Sequence, residues 1–128
     1  EIVVQSNQGG RSVFTNAGRT TRRGAELAGS MRFAGDALRA GANATLLDAR
    51  FRDGFTSGSG PTATAVAAGN RLPGTPRTQA FAELAWAPTA SWARAAGLTG
   101  AVELVHTGRL AVDDANSDAT AAATVWNV

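Results

Sequence analysis

The sequence predicts an all-β fold, an antiparallel up-and-down meander of about six strands, and three observations predict it. Apolar and polar residues alternate with a period of two along several stretches, the signature of strands with one apolar and one polar face. Turn-forming residues separate these stretches, and the connections are by turns long and short. Bulky apolar side chains are scarce: Leu, Ile, Val and Phe together number 24 of 128 residues, against 28 Ala. Faces built from such residues would fill a soluble core poorly.

Composition removes several classes. All 12 basic residues are Arg, balanced by 10 acidic residues for a net charge of +2, so a disordered polyelectrolyte is excluded. Arg22-Arg23 is the only adjacent basic pair, too little for a nucleic-acid stripe, and no nucleic-acid partner is expected. Without Cys there is no disulfide framework, thiolate metal site or Cys nucleophile, and one His makes a structural zinc site implausible. No run of 18 apolar residues exists to form a transmembrane helix. The chain opens on Glu1 rather than Met, and we expect it to begin within a longer protein or after processing.

The elements follow in order. Glu1 to Gln5 is β-branched and short, a strand leading into the polar Ser6–Gly10 stretch. Ala25, Leu27, Gly29, Met31 and Phe33 alternate with Glu26, Ala28, Ser30 and Arg32. Ala34-Gly35-Asp36-Ala37 makes a tight turn, after which Leu38, Ala40, Ala42, Ala44 and Leu46 alternate with Arg39, Gly41, Asn43 and Thr45, completing a hairpin. Residues 54–78 hold three of the four prolines and five glycines without periodicity, and read as a functional or mobile loop. Alternation returns at Ala80, Ala82, Leu84 and Trp86, with Gln79, Phe81, Glu83 and Ala85 on the other face. Residues 88–97 connect, with one helical turn expected at 91–96. Leu98, Gly100, Val102 and Leu104 then alternate with Thr99, Ala101, Glu103 and Val105. A second polar stretch, 113–123, precedes Val125-Trp126-Asn127-Val128, which reads as the start of a strand.

Abundant Ala also suits helices. On a helix, however, Glu26, Arg32 and Glu83 would fall among the apolar residues, whereas a period of two separates them. Strands of about ten residues, with short turns at one end and long loops at the other, are the pattern of a transmembrane barrel. The apolar face would then meet lipid and the polar face a wet lumen.

Several motifs resemble one family. Asn16-Ala17-Gly18-Arg19-Thr20-Thr21-Arg22-Arg23-Gly24-Ala25-Glu26-Leu27 is similar to a strand start that recurs in TonB-dependent outer-membrane receptors of the ferric siderophore type. Leu47-Asp48-Ala49-Arg50-Phe51, Gly69-Asn70-Arg71-Leu72-Pro73-Gly74-Thr75-Pro76-Arg77, His106-Thr107-Gly108-Arg109, Val112-Asp113-Asp114-Ala115-Asn116 and Thr124-Val125-Trp126-Asn127 continue the resemblance in family order. The resemblance implies that residues 1–128 are a partial β-barrel domain, a segment near the C-terminal end of a 22-stranded transmembrane β-barrel with neither the plug nor the final strand. It further implies a bacterial outer-membrane location, uptake of a ferric siderophore or related chelate, outer-membrane lipid around the wall, and TonB acting through the absent plug region. Glu1-Ile2-Val3-Val4 resembles the TonB-binding peptide of the family, but its place before Asn16-Ala17-Gly18-Arg19 favours an ordinary barrel strand. Tyr is absent, so Trp86, Trp92 and Trp126 are the expected membrane-interface anchors.

Candidate functional residues divide between site and scaffold. Arg71, Asp113, Asp114 and Asn116 lie in the two long loops and are the candidate ligand-binding residues. Asp113, Asp114, Asn116 and Asp118 offer oxygen ligands for calcium, but their spacing lacks the twelve-residue loop with its terminal Glu, and an ordinary acidic loop is expected. Ser57-Gly58-Ser59-Gly60 lacks the Lys of a phosphate loop and reads as external loop. Glu26, Glu83, Glu103, Arg32 and Arg39 fall on the lumen face, where charge is wet and costs little. His106, near a strand end, reads as an interface or solvated residue rather than a metal ligand. No nucleophile elbow or comparable catalytic motif is present, so no enzyme, metal or cofactor is expected. Two alternatives stay open: a soluble β-rich binding module, in which Leu27, Leu46, Leu84 and Val102 would be buried, and a pore or autotransporter barrel.

Overall fold

The computed structural model describes residues 2–6, 12–16, 18–58 and 60–128, with side chains described from Gly18 onward. Most of the Ser6–Gly10 stretch, Glu1 of the Glu1-Ile2-Val3-Val4 tetrapeptide, Ala17 and Ser59 lie outside the described residues. The described residues form an all-β chain whose main sheet is a five-stranded antiparallel meander. Its strands are β3 (Thr20–Phe33), β4 (Leu38–Phe51), β7 (Thr78–Trp86), β8 (Gly100–Thr107) and β9 (Ala123–Asn127), in that spatial order. Each strand neighbours the next in this series, as an up-and-down topology requires. Among the described residues β3 and β9 each have a single neighbour, so there the sheet is open at both edges.

Two further pairs stand apart. β1 (Ile2–Ser6) pairs with β2 (Ser12–Asn16) in a two-stranded sheet of its own. The opening strand is therefore present but is not a strand of the meander, and its partner is Ser12–Asn16, where the sequence predicts no strand. β5 (Phe55–Ser57) pairs with β6 (Thr64–Val66), with a turn of 3-10 helix, Gly60–Thr62, between them. The reading of 54–78 as loop without structure is thus corrected. Strands of three residues are too short to show a periodicity, and contacts outside the segment hold them in place.

The chain divides into two compact units. The strand unit comprises Ala25–Leu46, Thr78–Gly108 and Ala122–Val128, and the loop unit comprises Glu1–Gly24, Leu47–Arg77 and Arg109–Ala121. β3 and β4 contribute residues to both.

In the strand unit the register sorts side chains by face. Leu38, Trp86 and Gly100 stand opposite one another, followed by Ala40, Leu84 and Val102, then Ala42, Ala82, Leu104 and Trp126, then Ala44, Ala80, His106 and Thr124. The alternate rows carry Arg39, Ala85 and Ala101; Gly41, Glu83, Glu103 and Asn127; Asn43, Phe81, Val105 and Val125; and Thr45, Gln79, Thr107 and Ala123, so every charged residue of these rows lies on the second, mixed face. Opposed residues of antiparallel strands share a face, so one face is almost wholly apolar. Ser30 lies beside Gly41, which sets the even positions of β3 on the polar face and Leu27 and Met31 on the apolar one. That apolar face is uncovered: Leu27 is 77% exposed, Leu46 57%, Leu84 46% and Val102 42%. From Leu38 to Leu46 it extends roughly 27 Å along the strand, close to the apolar band of a membrane barrel.

The short connection between β3 and β4 turns through Ala34, Gly35 and Asp36, all at positive φ, and closes with Ala37 N–H donating to the Ala34 carbonyl at 3.2 Å. At the same end the β7–β8 connection contains the helix α1 (Ser91–Ala95), as expected for 91–96, and Ala87 N–H donates to the Ala37 carbonyl at 2.9 Å.

Candidate functional site

The loop unit has what the strand unit lacks, a core of its own. Along β4 the apolar positions change parity after Leu46, with Leu47, Ala49 and Phe51 on the side that carries Arg39 and Thr45, and Asp48 and Arg50 on the other. Ala49 and Phe51 are buried with Val66 and Leu72, and Leu47 and Phe55 pack against them. Phe55 opposes Val66 at the base of the β5–β6 hairpin, and its ring meets that of Phe51 edge-on at 4.9 Å. The returning chain is held by backbone bonds from Phe51 to Asn70, Gly69 to Phe51 and Leu72 to Ala49, so it runs antiparallel beside the end of β4. Fully burying Phe51 contributes about 1.5–3 kcal/mol, one part of what offsets the entropy of ordering these segments.

Polar side chains tie this core to the segment 109–121. That segment is itself a small hairpin: Ala111 bridges Ala119, Val112 N–H donates to the Asp118 carbonyl, and Thr120 N–H donates to Leu110. Asn116 closes its tip in the left-handed region at φ 56°, a conformation Asn tolerates better than most residues. Its side chain then acts as a second strand edge. Asn116 Oδ1 accepts from the Arg71 N–H at 2.6 Å, and Asn116 Nδ2 donates to the Arg71 carbonyl at 2.9 Å and the Asp113 carbonyl at 3.1 Å. Asn70 Nδ2 donates to the Asp114 carbonyl, and Gly74 N–H to the Ala111 carbonyl, each at 3.0 Å. The Arg71 guanidinium donates to Asp48 at 3.1 Å, and Arg50 also pairs with Asp48 while donating to the Gly69 carbonyl.

The four candidates Arg71, Asp113, Asp114 and Asn116 therefore converge in space, as contacts of one network. Asp113 accepts from Ser117 Oγ at 2.6 Å, Ser117 N–H at 3.0 Å and Asp118 N–H at 3.1 Å. Those bonds, the Ser117 hydroxyl foremost, hold its carboxyl below the usual range and commit it to the turn. Asp114 differs: its carboxylate makes no hydrogen bond among the described residues, and burial, then the charge of Asp113, raises its pKa. Both line a cavity of about 490 Å³ whose other walls include Ser57, Thr64, Val66 and Ser117. A carboxylate and several hydroxyls around a half-apolar cavity suit a ligand that presents hydrogen-bond donors. Ser57 and Thr64, which oppose each other in the β5–β6 hairpin, went unnoticed in the sequence. Neither Phe55-Thr56-Ser57 nor Thr64-Ala65-Val66 alternates, so no local pattern marks them.

A second latch closes the loop unit at the start of β3. Asp53 accepts from Arg19 Nε at 2.9 Å, Arg19 NH2 at 3.0 Å and the Arg19 N–H at 2.9 Å. The Arg19 side chain is the main reason the Asp53 carboxyl falls from 3.8 to about 2. Gly18 belongs to the latch, because a Cβ there would meet the Asp53 Cβ at 2.8 Å.

On the polar face Arg39 pairs with Glu83 at 2.8 Å, and Asn127 donates to Glu103 at 3.3 Å beside it. Glu26 and Arg32 are exposed and join no such pair among the described residues. His106 shares a hydrogen bond of 2.9 Å with the Thr124 hydroxyl, in the apolar-face row next to the Leu46–Thr78 pair. Trp86 stands at the turn end of that face and Trp126 one row inside His106.

An open antiparallel meander with one exposed, almost wholly apolar face and its charged side chains on the other has the pattern of a membrane-barrel wall. The family model described as TonB dependent receptor-like, beta-barrel, matches residues 1–128, so the chain belongs to the TonB-dependent receptors, transporters of the bacterial outer membrane that work with TonB and a bound ligand.

Proposed function

We propose that these residues supply wall and extracellular loops to a receptor for a ferric siderophore or related iron chelate. Residues 1–128 are then a partial barrel domain, part of a wall of about 22 strands, and TonB acts through a plug region outside them. The open edges of β3 and β9 support this reading, since unpaired strand edges are not tolerated in lipid. The observation that carries the ligand reading is the cavity of about 490 Å³ built by the two long loops, beside Arg71, Asp113, Asp114 and Asn116. Ligand enters between the β5–β6 hairpin and the 109–121 hairpin, and the Asp114 carboxylate accepts from it. The soluble-module alternative requires Leu27, Leu46, Leu84 and Val102 to be buried, and their exposure counts against it.

The test is deletion of residues 112–117 from the full receptor, followed by chelate binding and iron uptake in cells. Loss of binding with normal outer-membrane abundance is expected. Unchanged binding and uptake would remove these loops from the ligand site.

A further inference from the structure

We propose that the β7–β8 connection, residues 87–99, is a lipid anchor that seats on the phospholipid leaflet at the turn end of the sheet and holds a lipid phosphate with Arg94. The proposal rests on the membrane-wall reading of the strand unit. Barrels of this kind place short turns on the periplasmic side, and the four-residue β3–β4 turn, bonded to this connection through Ala87 and Ala37, marks that end. The connection is much longer than a turn needs to be, and it is ordered. Gly97 at φ 65° ends α1, with Leu98 N–H donating to the Ala93 carbonyl at 3.0 Å and Gly97 N–H to Arg94 at 3.1 Å. This pairing of bonds around a left-handed Gly is a Schellman closure, which fixes the residue after the Gly.

What the closure holds in place suits a membrane interface. Ala93 is fully buried, whereas Trp92 on the same helix is 70% exposed and Leu98 is 43% exposed. Trp86 ends the apolar face of the sheet at this end and leads directly into the connection, so an apolar rim continues the lipid-facing band. Indole rings prefer the headgroup region, apolar on one side and hydrogen-bonding on the other. Arg94 lines a cavity of about 320 Å³ with Pro88, Thr89 and Leu98, and makes no ion pair among the described residues. A guanidinium beside exposed aromatic and aliphatic side chains complements a phospholipid headgroup: phosphate on the cation, glycerol and upper acyl carbons against Trp92 and Leu98.

The experiment uses the full receptor in vesicles of phosphatidylcholine and phosphatidylglycerol, with a fluorophore on Trp92→Cys and, in a second sample, on Leu84→Cys. Brominated lipids quench both labels if the proposal holds. Arg94→Glu then reduces quenching at residue 92 several-fold, leaves residue 84 unchanged, and lowers the phosphatidylglycerol retained on purification. Quenching at 84 with residue 92 open to iodide in water would overturn the anchor and spare the wall reading. Both labels open to iodide would overturn both. Quenching at 92 that Arg94→Glu leaves intact would overturn the phosphate contact.

Discussion

The two units of this chain solve the same problem, scarcity of bulky apolar residues, in opposite ways. The loop unit gathers Ala49, Phe51, Val66 and Leu72 into one small core and stitches the rest with side-chain-to-backbone hydrogen bonds. The strand unit leaves Leu27, Leu46, Leu84 and Val102 on its surface and relies on ladder hydrogen bonds between strands. Charge follows the same division, with nine of the 12 arginines in the loop unit. Apolar residues therefore mean burial in one unit and solvent in the other, the solvent being lipid. The same substitution should thus have different consequences in each.

The sharpest contrast is volume loss in the loop core. Phe51→Ala should destabilise the loop unit by about 3–5 kcal/mol, seen as faster hydrogen exchange across residues 55–72 while β7 and β8 stay protected. Exchange unchanged in both regions would break the contrast. Next is a charge on the outer face: Leu84→Arg in a reconstituted receptor should cost about 2–4 kcal/mol, falling as the position nears the headgroups. A soluble sheet would accept Arg there at almost no cost. Third, Asn116→Ala removes three hydrogen bonds and should cost about 1–3 kcal/mol, read as protease sensitivity near residues 112–117. Asn116→Gly keeps the left-handed turn, so its smaller loss would separate backbone conformation from the Arg71 clamp.

Acid gives the smallest effect. Asp53 has a depressed pKa, so its contribution to folding is complete above about pH 4 and is lost as pH falls toward about 2. Asp114 has the opposite sign: its pKa is raised, so ionisation weakens the fold as pH climbs through the ordinary carboxylate value. Asp53→Asn should therefore remove the acid transition of the 18–20 and 52–54 segments in hydrogen exchange, and Asp114→Asn should stabilise the tip of the 109–121 hairpin at neutral pH.

The strand unit was legible in the sequence because its signal is local. Period-two alternation about Ala34-Gly35-Asp36-Ala37 locates β3 and β4, and the same rule locates β7 and β8 to within two residues. The loop unit was legible only in part. Arg71, Asp113, Asp114 and Asn116 were identifiable as polar loop residues, but their meeting depends on contacts 45 residues apart, such as Asn116 with Arg71, which no local pattern encodes. The β5–β6 hairpin was missed because three-residue strands carry no period and its order comes from Phe51 and Leu72 outside it. The opening strand was read correctly as β but assigned to the wrong sheet, since a β-branched run does not specify its partner.

The central claim is that the apolar face of the meander meets lipid. Nitroxide labels at consecutive positions of β7, among them Glu83→Cys and Leu84→Cys, in the reconstituted receptor test it through collision with oxygen, which partitions into lipid, and with a nickel chelate, which stays in water. The account predicts alternation, with residues 80, 82 and 84 open to oxygen and residues 79, 81 and 83 open to nickel. Access of nickel to both sets, or shielding of residues 82 and 84 from both reagents, would contradict it.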